Sequence, residues 1–387
     1  MNKGTVWMEN GQPLSDELLN MPAEQFALIE REAEIVDADF RTKSVSYGKD
    51  VLIRFLHDKV TVVAAVIVSL IVIMAILGPN MSGYTYLEQH KELANMPPRI
   101  PLLENIGICD GTRVIEVKKS SLEETYAPFV KENYGEFQVA SAFGNATMYR
   151  IKVDMYGYKG VPDQYYWFGS DGLGRDIFSR LWQGTRISLI LAMTVVVVNL
   201  TIGLIVGAIC GYYGGWIDMI IQRLMDIVWN IPSLPLTILL IMLFGSGILP
   251  LALAFCLTGW MGTANSVRMQ FYRYKGREYV LASRTMGASD LRLMFRHILP
   301  NAIGTLITGC ALSIPGVVFQ EAGLAYLGLG IQAPNPSIGI LLSEGQKVLL
   351  DYPSQLVFPG IVIVMLMLAF NLLGNGLRDA FNPSLRQ

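Results

Sequence analysis

Three groups of side chains could do chemistry in this sequence. The first lies in FGSDGLGRDIFSRLWQGTRISL at 168–189, where Asp171, Gly174, Arg175, Asp176, Arg180 and Arg186 stand directly before a charge-free run from Ile187 to Ile217. Acids and bases four residues apart suit ion pairing on a turn and the helix after it. Asp171 to Asp176 reads as a tight glycine-bearing turn, and Asp176–Thr185 as a helix along the outer membrane interface before the chain dives at Arg186. The charges would pair with each other or with a second membrane chain, while contact with an external soluble protein is the alternative. The second group is Asp218, Arg223 and Asp226, whose spacing favours interfacial salt bridges over transport chemistry.

The third group is REYVLASRTMGASDLRLMFRHILP at 277–300. Glu278 to Arg284 reads as a short helix, Gly287 as a sharp turn, and Ser289 or Asp290 as the cap of a second helix running to Leu299 and Pro300. Small residues at Ala282, Ser283, Gly287 and Ala288 permit close approach by a soluble partner, and a basic loop that only fixes topology is the competing reading. Other chemistry finds no residues. His57, His90 and His297 are scattered without HExxH or paired spacing, so no metal site and no catalytic residue is expected. GLGRD is a poor phosphate loop because no strand leads into it.

The elements that must position these groups follow from composition. Hydrophobic residues make up 52% of the 387 and charged residues 16%, with a mean hydropathy of +0.40, too apolar for an ordinary soluble protein. A net charge of −2 excludes the polybasic footprint of nucleic-acid binding. Six segments are apolar enough to span a bilayer: 60–78, 187–213, and roughly 224–244, 246–264, 298–320 and 356–376. In the third, Asn230, Pro232 and Pro235 should bend the helix and mark a pathway wall. The third span's prolines and the glycine-rich stretches 328–339, with Gly328 and Gly330, and 374–376 would let helices rock.

Lys and Arg concentrate between the fourth and fifth spans, from Arg268 to Arg296, while the 245–249 turn has none. The 265–297 loop should therefore be cytoplasmic, which puts both termini inside and 79–186 outside. No signal peptide is expected ahead of the first span. Residues 1–58 read as an acidic tail and an interfacial helix, 59–78 as the first span, 79–165 as an external insert, 166–376 as the core and 377–387 as a cytoplasmic end. Period-two alternation at Val114–Lys118 and Met148–Val153 predicts strands in the insert.

The third group resembles the EAA motif of binding-protein-dependent ABC importer permeases, through Ala282, Gly287, Leu299 and Pro300, with Leu281 at the motif's Glu and Ser283 at its second Ala. WFGSDGLGRDIFSRLWQGTRISL, GYYGGWIDMIIQRLMDIVWNIPSLPL, GASDLRLMFRHILPN, AGLAYLGLGIQAPNPSIG and FPGIVIVMLMLAFNLLGNGLRDAFNP look like the C-type permease subunit of the oligopeptide, dipeptide and nickel family. The resemblance implies an all-α polytopic protein of six spans with the type I importer permease fold and a small β insert between the first two. It implies a bacterial plasma-membrane location, a second permease, two cytoplasmic ATPases that bind ATP and Mg, and an external binding protein delivering an oligopeptide. Dipeptides or nickel complexes are alternative cargoes. The 277–300 segment would couple to the ATPases, and this chain would be non-catalytic with no cofactor of its own. A receptor with an external sensor is the rival class, but it needs no bent, glycine-rich spans.

Overall fold

The structure is a computed structural model that describes residues 47–141 and 144–381. The predicted tail at 1–45 and Asn382 to Gln387 lie outside them. Contacts divide the chain into Met1–Asp50 and Val51–Gln387, so the strands of the insert share one unit with the spans.

Helix α1 (Tyr47–His57) precedes α2 (Lys59–Leu77), the first membrane-length helix. Asp58 starts α2 by accepting from the amides of Val60 and Thr61 at 3.1 and 3.2 Å, and Gly78-Pro79 ends it. Next come short turns and three strands, β1 (Thr112–Lys118), β2 (Val130–Ser141) and β3 (Gly144–Asp154), antiparallel in the order β1-β3-β2. The two predicted strands pair with each other, Val114 opposite Lys152 and Lys118 opposite Met148. Strand β2 was not anticipated.

The remaining helices are α3 (Ile177–Tyr213), α4 (Gly215–Trp229), α5 (Ser233–Phe244), α6 (Ile248–Lys275), α7 (Glu278–Thr285), α8 (Asp290–Tyr326), α9 (Ile338–Lys347) and α10 (Ser354–Phe381). With α2, five helices (α2, α3, α6, α8 and α10) are long and apolar enough to cross a membrane. The pair α4 and α5, bent by 74° at its break, brings the number to six if it counts as one broken span rather than a re-entrant loop. The break falls at Asn230–Pro232, where Pro232 lacks an amide proton and restricts Ile231 before it. Pro235 does not kink the chain. It sits in the first turn of α5, where a missing donor costs nothing.

Hydropathy misjudged several helix ends. Asp176–Thr185 is not a separate interfacial helix: α3 runs unbroken for 37 residues, and Phe178, Leu181 and Trp182 on its first turns are buried. At about 1.5 Å per residue α3 is far longer than a bilayer's hydrocarbon is thick, so its start belongs to the extramembrane part. Residues 265–275 of the expected loop continue α6, since charge does not interrupt helical hydrogen bonding. Pro300 does not end a helix either. The chain from Asp290 to Tyr326 is continuous, with a π turn at Leu293–Ile298 that makes room for the proline ring.

Glycines set the closest approach. Gly203, Gly207 and Gly211 lie on one face of α3, where a Cβ would collide with Thr263, Ala264 and Arg268 of α6, respectively. Gly376 of α10 similarly meets Thr61 of α2.

Candidate functional site

Three regions gather the predicted residues. The first begins at Asp171, whose Oδ1 accepts from the amides of Leu173 and Arg175 at 2.8 and 3.0 Å and closes the turn. Gly174 has φ 74°, and a side chain there would strike the His90 carbonyl. Arg175 Nε donates to Asp171 Oδ2 at 2.7 Å, and Arg180 Nη1 donates to the same oxygen and to Glu344 Oε2 at 2.9 Å. The charges pair directly with each other, and Arg180 also reaches Glu344, 164 residues away, which sequence spacing cannot reveal. Asp176 does separate work as the cap of α3. It accepts from the Ser179 amide at 3.0 Å and the hydroxyls of Ser82 and Ser179 at 2.7 and 2.8 Å, and burial pushes its carboxyl above the usual range. Arg186 is exposed and makes no ion pair among the described residues.

Asp218, Arg223 and Asp226 do not form one cluster. Buried Asp218 receives a bidentate pair from Arg268 on α6, both bonds 2.6 Å, while Arg223 and Asp226 form an exposed pair at 3.7 Å. Positions 218 and 226 are eight apart on α4, so the turn that faces α6 carries only the first.

The second region is the α7 segment. Helix α7 covers Glu278–Thr285, and Gly287 turns the chain at φ 86° with the space about it open. Ser289 precedes α8 without a side-chain cap. Val280, Leu293, Met294 and Ile298 point inward and pack with Ala208, Tyr212, Val267 and Phe271 of α3 and α6. Outward stand Leu281, Met286, Leu291 and Phe295, with Met286 88% and Leu291 65% exposed. Ala282, Gly287 and Asp290 lie on this exposed side, Ser283 and Ala288 are half-buried, and Leu299 and Pro300 are within α8. The apolar row was missed, although alternating Leu and Met among arginines carried the signal.

The third region is a cavity of about 360 Å³ between α3, α6 and α8. Its wall includes Asn199, Gly262, Ser266, Thr305, Gly309 and Ser313, all uncharged. None of the five predicted pathway residues lines it. Asn230 and Pro232 are at the α4–α5 break, and Pro235 starts α5. Gly328 closes the end of α8 at φ 80°, and Gly330 presses against Ala325, with a notional Cβ 2.7 Å from its Cα. Gly330, Gly374 and Gly376 are thus points of close contact, not loose joints.

One buried acid escaped the sequence reading because the fifth span was ended one residue too early. Glu321 is fully buried in α8 and accepts from Ser337 Oγ at 2.6 Å and Ser188 Oγ at 3.3 Å, joining α8, α9 and α3. Among the described residues no three His, Cys, Asp or Glu side chains come together as a metal would need.

Residues 203–387 match the family model described as the binding-protein-dependent transport system inner membrane component, and residues 46–98 match the N-terminal TM domain of oligopeptide transport permease C. The Bacillus subtilis oligopeptide transport system permease protein OppC is 36% identical over 345 residues, 89% of this chain and 92% of the relative. The dipeptide transport system permease protein DppC of the same organism is 42% identical over 227 residues, 58% of this chain and 71% of the relative. A solved structure of the MetNI methionine ABC transporter in an inward-facing conformation aligns with 52% of this chain and 96% of its own at 16% identity, with a TM-score of 0.43.

Proposed function

The chain belongs to the family of oligopeptide and dipeptide transport permeases, multi-pass membrane components of binding-protein-dependent ABC importers, and we propose that it forms half of an oligopeptide pathway whose other half is a second permease. Two cytoplasmic ATPases would bind ATP and Mg and supply the work, so this chain needs no cofactor. An external binding protein would present the peptide to the face that carries the strands. Dipeptides or nickel complexes would suit the same uncharged wall, and the binding protein would set the choice among them. In this reading the protein sits in a bacterial plasma membrane with both termini cytoplasmic, as the arginines of the α6–α8 region favour.

The observation that carries the proposal is the row Leu281, Met286, Leu291 and Phe295, exposed on a segment whose other face is built into the helices lining the cavity. An apolar row among basic residues fits a groove on a soluble partner, and its inward face ties that partner's movement to the spans. Residues Glu278, Ala282, Ser283, Gly287, Ala288 and Asp290 would form the contact. The uncharged cavity wall suits cargo of varied side chains, because fixed charges would select among peptides.

The test is a pulldown of the chain from its native membranes in mild detergent, with intact-mass identification of stoichiometric partners. A second permease and two ATPases are expected. Recovery of the chain alone, or with a kinase or protease, would overturn the importer reading in favour of a receptor.

A further inference from the structure

Three elements meet at one hydroxyl. Tyr212 is on the last turn of α3 and is buried, yet its OH donates to Asp290 Oδ1 at 2.5 Å and accepts from Arg284 Nη2 at 2.9 Å. Arg284 is on the last turn of α7 and Asp290 opens α8. The tyrosine thus joins both sides of the Gly287 turn to the end of a membrane-length helix. Its carbonyl also lies 3.4 Å from Lys275 Nζ at the end of α6.

What lies beyond Tyr212 differs in stiffness on the two sides. Helices α3 and α6 are locked together by Gly203, Gly207 and Gly211, where backbone meets backbone with no space for a Cβ. The bidentate Asp218–Arg268 pair at 2.6 Å adds a second tie, from α4 to α6. A displacement applied at Tyr212 therefore moves α3 and α6 as one body. The path into α8 instead passes through the π turn at Leu293–Ile298, just before Pro300, where the helical hydrogen-bond pattern is broken and bending is easiest. The cavity lies between these two bodies, with Val196 and Asn199 of α3 and Gly262 and Ser266 of α6 facing Thr305, Gly309 and Ser313 of α8.

We propose that Tyr212 is the positioning residue that carries movement of α7 into the α3–α6 pair while the π turn lets α8 lag, so that the cavity between them changes width. The proposal rests on α7 being the segment an ATPase moves. Removing the Tyr212 hydroxyl leaves the apolar packing intact and cuts the hydrogen-bonded link between α7, α8 and α3.

Cys310 lines the cavity from α8 and reports its width through its reaction with a maleimide. The test uses the purified complex with its ATPases, comparing maleimide labelling of Cys310, resolved from the other cysteines by peptide mapping, without nucleotide and with ATP trapped by vanadate. In the unsubstituted complex the labelling rate changes between the two states. Tyr212→Phe, which loses both hydrogen bonds to charged groups, is expected to shrink that change by at least about tenfold. The ATPases still co-purify, because Tyr212 lies behind the exposed row. Arg284→Met, at an exposed position outside the ATPase contact where folding is not at stake, should give part of the loss. A full nucleotide response in Tyr212→Phe overturns the proposal, and so does a Cys310 whose labelling ignores nucleotide in the unsubstituted complex. Failure of the ATPases to co-purify with the unsubstituted chain is a different result: it overturns the coupling reading itself.

Discussion

Arg180 shows what a single side chain does at the N-terminal end of α3. Its guanidinium is 4% exposed and lies between Asp171, 8% exposed, and Glu344, 42% exposed. Arg180→Met leaves Asp171 buried with Arg175 alone and should destabilise the protein by about 3 kcal/mol, as expected when one partner of a buried pair is removed. Glu344→Gln should cost much less, because water already reaches that carboxylate. Thermal unfolding of the detergent-solubilised variants separates the two, and equal losses would refute the assignment of the buried role to Asp171 and Arg180. Asp110 supplies a pH test in the insert. Burial raises its carboxyl pKa, but the hydrogen bonds from Thr112 and the ammonium of Lys152, 3.1 Å away, outweigh burial and hold it below its ordinary 3.8. Since the folded state binds this proton more weakly than the unfolded one, the stabilisation is complete above the ordinary pKa and is lost as pH falls through the folded value. The advantage of the unsubstituted protein over Asp110→Asn, measured by unfolding at pH 6, should therefore vanish in strong acid. At this scale the sequence disclosed local pairs such as Asp171 with Arg175, but not Glu344, Arg268 or Tyr212, whose partners are brought near only by folding.

Among the elements, strands β1 and β3 were legible because their two faces differ: β3 encloses Ile151 and Val153 wholly, and β1 half-buries Ile115 and Val117 while Val114, Glu116 and Lys118 are exposed. Strand β2 was not. Its first residues Val130, Lys131, Glu132 and Asn133 lie at an edge with register shifts, so no alternation is imposed on them. Helix ends were misplaced because hydropathy marks where lipid ends while hydrogen bonding continues, as in α6 through Arg273 and Lys275. The pairing also bears on how the insert should be removed. Trimming all of 79–165 would take away Ser82, the partner of Asp176, and Leu93, whose carbonyl accepts from Ser170 Oγ at 2.5 Å. Excision of 112–154 is cleaner. The Met155 amide already donates to the Gly111 carbonyl at 3.2 Å, and Leu93, Met96, Tyr156 and Tyr166 form a buried cluster that contains no excised residue. A chain with 112–154 replaced by a short link should insert and retain its ATPases while capturing less binding protein. Unchanged capture in a pulldown with the binding protein would show that the strands serve something else.

For the whole molecule, five membrane-length helices and the order of all six apolar segments could be read from apolar length alone, because lipid imposes one requirement on every spanning helix: its backbone must satisfy itself. Which faces are turned to partners could not, because an exposed Met and a buried one look alike in sequence. The α7 segment makes the difference testable. Its inward residues Val280, Leu293 and Ile298 are fully enclosed and hold the segment against α3 and α6, whereas Met286 and Leu291 contribute almost nothing to that packing. Met286→Glu combined with Leu291→Glu should therefore leave the unfolding temperature of the solubilised chain unchanged, as expected of surface substitutions. In the complex, the same two carboxylates would be forced into an apolar groove without partners, at a cost of several kcal/mol. The ATPases should then be lost from the pulldown. Gly287→Arg should act the same way by bulk and by strain at φ 86°, an angle that favours glycine. Full retention of the ATPases by both variants would place the docking surface elsewhere on the chain and remove α7 from the coupling path.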